Sequence, residues 1–277
     1  MKILINYAND AYRKSQQWNT WTGKHIAGFD KVYSFSPKDI DKRYYEAHKD
    51  ILSEKRGNGL WLWKPYFINR VLNESNEGDI IFYADSGAFF LQNIDVLISS
   101  IRNDEKIWVS DNPLLESCFT KKVCLKKMDC DTPEIRDSNQ IQATYLMVIC
   151  CDESKRFIKE WLKWCENYEL LSPEGGLSLS DNKGSGFVAH REDQSILSLL
   201  CKKHGIVPHK DPSQRGKYPE TFYNPNYIFR VPNHPNDKYD SVIFLHKSKA
   251  FNLWIFLKWW LIVMKSKINY KIREKTL

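Results

Sequence analysis

Residues 78–90, GDIIFYADSGAFF, constrain this chain more than any other stretch. Ile80, Ile81, Phe82 and Tyr83 follow a Gly78-Asp79 turn signal without polar interruption. A short, wholly apolar run between turn signals predicts a strand buried on both faces, as in parallel sheets. The run stops at Asp85-Ser86-Gly87, so a carboxylate, a hydroxyl and a flexible residue sit at the strand's carboxyl end. In open α/β sheets that edge is where ligands bind, and a rigid strand holds a metal or phosphate ligand firmly. The same three residues are also ordinary turn formers, and both readings stand on residues alone.

Strands and helices are expected to alternate on either side of this run. Residues 3–8 (ILINYA) read as a first buried strand, with Asn9-Asp10 opening a helix through Trp18. The apolar start is too short for a signal-peptide core. Asn6 and Tyr7 then lie where that strand leaves the sheet, either at a nucleotide position or at a plain strand–helix junction. Residues 31–36 read as a second strand and 39–55 as a helical stretch. In 57–72 (GNGLWLWKPYFINRVL) the glycines suit a tight loop, and Pro65 suits the first turn of a helix. Lys64 just ahead of that helix is placed to meet an anion or simply to be solvated.

Residues 91–100 look helical, 106–110 and 144–150 look like strands, and 153–168 has the spacing of an amphipathic helix. Residues 111–139 show no clean period. The Gly/Ser-rich segment 172–188 is long enough to read as a lid or binding loop. After it, Glu192-Asp193-Gln194 opens a helix whose first turn favours carboxylates through the macrodipole. These acids also suit a general base or a ligand for a substrate hydroxyl, facing that loop. The expected class is α/β, a mixed and mostly parallel sheet flanked by helices.

Charge argues against a nucleic-acid partner. The formal net charge is +7 from 41 basic and 34 acidic residues. Residues 251–277 hold six of the basic residues against the single acid Glu274, so the body before them carries only about +2. A nucleic-acid binder is expected to carry its excess on the folded body. The seven cysteines include no Cys-x-x-Cys pair and read as free thiols.

In this order the motifs resemble GT-A-type nucleotide-sugar glycosyltransferases, chiefly those of bacterial capsule and lipopolysaccharide assembly. ILINYA is similar to the nucleotide-binding start of that fold, and GNGLWLWKPY with GDIIFYADSG to its metal-binding Asp-x-Asp strand. HREDQSILSLL resembles the acid-Gln helix start that meets sugar. FLHKSK (244–249) resembles a late segment that supplies a metal-ligating His and a diphosphate-binding Lys, although on residues alone His246 reads equally as a satisfied core histidine. The resemblance covers roughly residues 1–250 and implies transfer of a sugar from a nucleoside diphosphate to a glycan or lipid-linked acceptor. It implies donor contacts at Asn6, Tyr7, Lys64, Asp85, Ser86 and Lys249. Acceptor or sugar contacts are implied at Gln142, His190, Arg191 and Gln194, with a surface or capping role also open for His190. Asp193 is the implied base, with Glu192 second, if the reaction inverts; in a retaining reaction Asp193 holds a sugar hydroxyl instead.

The pattern is broken at one point. Where the family has its second Asp, this chain has Gly87. A Mn²⁺ or Mg²⁺ ion is still expected, held by Asp85, His246 and the diphosphate, since Mg²⁺ often takes one or two protein carboxylates plus substrate phosphates. The alternative is that lysines such as Lys64 and Lys249 neutralise the leaving group. Gly87 also keeps open a catalytically silent protein that binds a glycan or partner.

Residues 251–264 (FNLWIFLKWWLIVM) are apolar but for Asn252 and Lys258. As a helix they span about 21 Å, short of the ~30 Å hydrocarbon core. Clustered tryptophans and trailing cations suit the membrane interface, although a helix docked on the protein's own core also fits. The expected location is cytoplasmic, peripheral on the anionic inner face of the cell membrane, with 251–277 as a tail beyond the catalytic domain.

Overall fold

A computed structural model describes residues 1–173, 186–225 and 227–276, with side chains through 272. The sheet contains β1 (Lys2–Tyr7), β2 (Lys31–Phe35), β3 (Ile80–Ala84), β5 (Ile107–Leu115) and β6 (Asn139–Ile149) in the order β2-β1-β3-β6-β5. β1 pairs in parallel with β2 and β3, while β6 runs antiparallel to both β3 and β5. Four of the five strands therefore point one way, and the mixed, mostly parallel α/β class is as expected. β4 (Ala88–Phe90) and β7 (Ile243–Leu245) form a small antiparallel ribbon.

The side-chain period of two in a strand divides the core into two layers. Ile3, Ile5, Ile81, Tyr83 and Val148 point into one cluster; Leu4, Phe82, Ala84 and Met147 point into the other. The first layer is closed by α2 (Trp63–Glu74), α3 (Asp152–Cys165) and α4 (Glu192–Lys203) through Phe67, Ile68, Phe157, Trp161 and Ile196. The second is closed by the β4–β7 ribbon and by Ile94 and Leu97. Full burial of such a side chain is worth about 1.5–3 kcal/mol, so β3, in the middle of the sheet, is among the firmest parts of the molecule.

α1 (Arg13–His25) buries a polar stripe, Ser15, Gln16, Asn19 and Thr22. Its contacts are hydrogen bonds: Asn19 Nδ2 donates to Ala88 O at 2.9 Å, and Thr22 Oγ1 accepts from Phe90 N at 3.2 Å. A polar stripe of this kind leaves no apolar period, and the expected helix from Asn9 to Trp18 is displaced to 13–25 behind a 3-10 turn.

Other boundaries moved as well. The 39–55 stretch breaks into Lys42–Ala47 and Lys49–Leu52, and the helix expected over 91–100 shrinks to Asp95–Ile98. β5 and β6 run further than their apolar cores, through Asp111, Asn112 and Gln140, because strand pairing satisfies those backbones. All seven cysteines are free and buried. Residues 174–185, most of the expected lid, lie outside the described residues.

The tail forms α5 (Trp254–Thr276), longer than the apolar run that predicts it. Trp259 and Val263 dock against Phe89 and Phe244, while Leu257, Trp260, Leu261, Met264 and Ile268 are exposed. At 3.6 residues per turn these five fall within an arc of about 100°. Among the described residues no helix is long and apolar enough to cross a membrane.

Candidate active site

A cleft of about 630 Å³ opens where β1 and β3 end, at the edge expected for a ligand. One wall is aromatic. Tyr7 stacks on Trp63 with ring centroids 3.8 Å apart, and Asn58 Nδ2 donates to the Tyr7 hydroxyl at 2.5 Å. Asn58 reaches it because residues 57–61 all have positive φ, from +50° to +96°. Gly57 and Gly59 adopt such angles freely, whereas Asn58, Leu60 and Trp61 do so at a cost. The tight loop read from the glycines is therefore a strained wall of the cleft.

The floor holds a buried ammonium. Lys64, 3% exposed, donates to Ala143 O at 3.0 Å. Its Nζ lies 2.9 Å from Asp193 Oδ2 and 3.4 Å from Asp85 Oδ1. Asp85 also accepts from the Tyr83 hydroxyl at 2.6 Å. An ammonium has three protons, and here three oxygens surround it. The two acids raise the Lys64 pKa against the opposing effect of burial, so it stays charged. One cation cannot neutralise two carboxylates. Burial lifts the Asp193 pKa to about 7 although Lys64 pulls it down, and Asp85 adds to the rise. Lys64 is thus committed inward, and the donor contact expected of it gives way to positioning the two acids.

The segment 190–194 brings the second acid to the cleft. His190 is buried, its Nε2 2.9 Å from Leu170 O and its Nδ1 accepting from Lys121 N at 3.4 Å. Burial, then the Lys121 charge, push its pKa down to about 3, so it is a neutral strut and not a surface residue. Glu192 has φ +41° and accepts from Arg56 Nε; burial raises its pKa, and Arg56 opposes the rise. Gln194 Nε2 donates to Gln140 Oε1 at 2.6 Å, which ties the start of α4 to β6. Arg191 lies over the Phe119 ring at 4.8 Å, and its buried Nε has no partner.

Gly87 has a packing reason. His246 N and Lys247 N both donate to Gly87 O, at 2.8 and 2.9 Å. A Cβ on Gly87 would lie 3.0 Å from Lys247 Cα and 3.3 Å from its N. A side chain at 87 would therefore push away the segment that places Lys247 in the cleft. Lys247 has φ +56°. The cleft walls around it, then Arg215 and Arg191, lower its pKa to about 8.

Of the expected residues, the cleft collects Tyr7, Lys64, Asp85, Ser86, His190, Arg191, Glu192, Asp193 and Gln194. Asn6, Gln142, Lys249 and His246 do not line it. Asn6 is fully buried and donates to Asn19 Oδ1 at 2.8 Å, bracing α1 against β1. Gln142 donates to Ser110 Oγ at 2.9 Å, across the β5–β6 pairing. Lys249 is exposed outside the cleft, two residues past the lysine that lines it. Sequence reading missed Arg56, Asn58 and Lys247. Their only signals were the GNG turn and the cation directly after His246.

The residues present do not fit a divalent ion. Lys64 occupies the place between Asp85 and Asp193 that a bridging cation would take, and Gly87 offers no ligand. His246 Nδ1 accepts from Ser248 N at 3.1 Å, while Nε2 is buried without a partner and the ring packs near Phe89 and Phe251. Among the described residues no group of three or more His, Cys, Asp or Glu could hold a metal ion.

No protein-family model and no curated protein sequence matches the chain. Among solved structures it is similar to mouse xyloside xylosyltransferase 1, with TM-score 0.49 and 10% identity over 91% of this chain and 100% of that one. It is also similar to the galactosyltransferase LgtC bound to donor and acceptor sugar analogues, with TM-score 0.46 and 13% identity over 90% of this chain and 87% of that one. A third similarity is to the glycosyltransferase GlyE of Streptococcus pneumoniae, with TM-score 0.47 and 12% identity over 95% of this chain and 61% of that one. Likenesses at this level leave the chemistry to be argued from the cleft itself.

Proposed function

We propose that the chain is a glycosyltransferase that moves a sugar from a nucleoside-diphosphate donor to a hydroxyl of a glycan or lipid-linked glycan in surface polysaccharide synthesis. One observation carries this reading: a buried ammonium holds two carboxylates at the floor of a cleft with an aromatic wall and a cationic wall. Departure of a nucleoside diphosphate develops negative charge on phosphate, and cations aimed at that charge stabilise the transition state. Lys247 and Arg191 supply positive charge, and Asp85 suits the donor's sugar end.

Asp193 is the base of an inverting reaction. A pKa of about 7 matches proton abstraction near neutral pH, whereas Glu192 is held by Arg56. The test is product formation from a panel of nucleotide sugars, read by mass spectrometry, with Asp193→Asn beside the wild type. Turnover of at least one donor, lost in the variant, is the expected result. No turnover across the panel favours a silent glycan- or partner-binding protein.

The membrane reading rests on α5. Its exposed apolar arc is flanked by Lys258 and Lys265 on one side and Lys267 on the other, as suits a helix lying in the interface of an anionic cytoplasmic leaflet. A position at the membrane surface suits an enzyme whose acceptor is lipid-linked. Flotation with anionic and zwitterionic vesicles tests it, and equal recovery with both would remove the electrostatic part of the reading.

A further inference from the structure

The cleft contains more positive charge than its own acids balance. Lys247 and Arg191 line it, Arg215 lines the adjoining pocket beside the buried Asp211, and none of the three has a carboxylate within ion-pair distance among the described residues. Arg215 and Arg191 act against the charge on Lys247 more than Asp85 and Asp211 support it, and Arg215 acts weakly against that on Arg191, which Glu192 supports. The two guanidinium groups are held by aromatic faces, Arg191 over Phe119 at 4.8 Å and Arg215 over Phe222 at 4.8 Å and Trp259 at 5.3 Å. Each keeps a buried Nε without a hydrogen-bond partner. Stacked guanidiniums keep their charge and their donors free for a phosphate.

Like charges gathered this closely, with Asp211, Asp85 and Glu192 near them but none in ion-pair contact, cost free energy that a bound anion offsets. The backbone explains how they gather. Gly87 O takes both the His246 and Lys247 N–H groups, and a Cβ here, 3.0 Å from Lys247 Cα, would force Lys247 to shift by a few tenths of an ångström. The position that would bear a second metal-binding carboxylate is thereby used to bring in a cation. On the acid side of the cleft Lys64 already does a bridging cation's work.

We propose that Lys247, with Arg191 and Arg215 behind it, binds the donor's diphosphate in place of a divalent metal ion, so that donor binding and sugar transfer need no metal. This rests on the nucleotide-sugar reading above and replaces the Mn²⁺ or Mg²⁺ expected from the sequence. In the transfer step the bond between the sugar carbon and the phosphate oxygen breaks, and its electron pair goes to the diphosphate. The acceptor oxygen forms the new bond and loses its proton to Asp193. The fixed cations neutralise the charge on the leaving group and exchange no electrons.

Isothermal titration of the metal-stripped full chain tests the proposal, with UDP, GDP, CDP and ADP and with inorganic pyrophosphate, each in EDTA and in Mn²⁺. At least one nucleoside diphosphate is expected to bind in EDTA within threefold of its affinity in Mn²⁺, and more tightly than pyrophosphate. Lys247→Met, a change at an exposed side chain, is expected to weaken that binding by at least thirtyfold, and Lys247→Arg to restore most of it. Binding that appears only with Mn²⁺ overturns the proposal while leaving the nucleotide-sugar reading in place. Pyrophosphate binding as tightly as every nucleotide overturns the donor assignment and points to a headgroup or free-phosphate site. No binding of any nucleoside diphosphate under either condition removes both readings.

Discussion

Replacing Lys64 by Met removes the one charge that makes Asp85 and Asp193 compatible in a single floor. The side chains of Lys64 and Asp193 are 4% and 6% exposed, so solvent screens their 2.9 Å contact little. Asp85, with its side chain 33% exposed, keeps some hydration and contributes less. Breaking a buried pair by deleting one partner costs about 3–5 kcal/mol. At roughly 2–4 °C per kcal/mol for a chain of this size, the melting temperature should fall by about 6–20 °C.

The loss should depend on pH, and its sign follows from Asp193. Its folded pKa is raised from 3.8 to about 7, so the stability it contributes is present below the unfolded value and is lost as pH rises through the folded one. Without Lys64 the carboxyl holds its proton still more tightly. The variant's deficit should therefore be smaller at pH 5.5 than at pH 8.5. Thermal melts by circular dichroism at both pH values, with Lys64→Met/Asp193→Asn alongside, measure this. The double variant should regain at least half of the loss at pH 8.5. A drop below 2 °C, or one equal at both pH values, would refute the argument that Lys64 is the buried counterion.

The rate constant kcat/KM should fall as pH drops through about 7, where Asp193 takes up its proton. Asp193→Asn should lose at least ~100-fold in rate and flatten that limb, as measured by a pH–rate profile. Gly87→Ala should cost about 1–3 kcal/mol in a urea melt by forcing Lys247 away, and Gly87→Asp should not create a Mn²⁺ site by titration. Exchanging Leu257, Trp260 and Leu261 together for Ser should abolish vesicle flotation with little change in melting temperature, because all three are exposed. Trp259→Ala should destabilise by about 3–5 kcal/mol, since that ring is buried, and should weaken nucleoside-diphosphate binding in titration by unseating Arg215.

Local pattern was enough where burial is continuous. The runs in β1 and β3, the helical spacing of Phe157, Ile158, Trp161 and Leu162, and the acid pair opening α4 were all legible, because apolar period reports the face a side chain buries. α1 escaped because its buried stripe is polar and works by hydrogen bonds to β4. Much of β5 and β6 escaped because pairing, which no single segment records, satisfies their polar residues.

The site divides along the same line. Composition and order within the chain were sufficient to single out Asp85 at a strand end and Asp193 at a helix start, since each depends on its own element. That Lys64 faces both acids and not the ligand, that Lys247 enters the cleft and Lys249 does not, and that His190 is a strut were all decided by tertiary structure. Each depends on segments twenty to more than a hundred residues apart meeting within 3.4 Å. Gly87 shows the difference most directly. In the sequence it is a missing carboxylate, whereas in the fold it is the space that Lys247 requires.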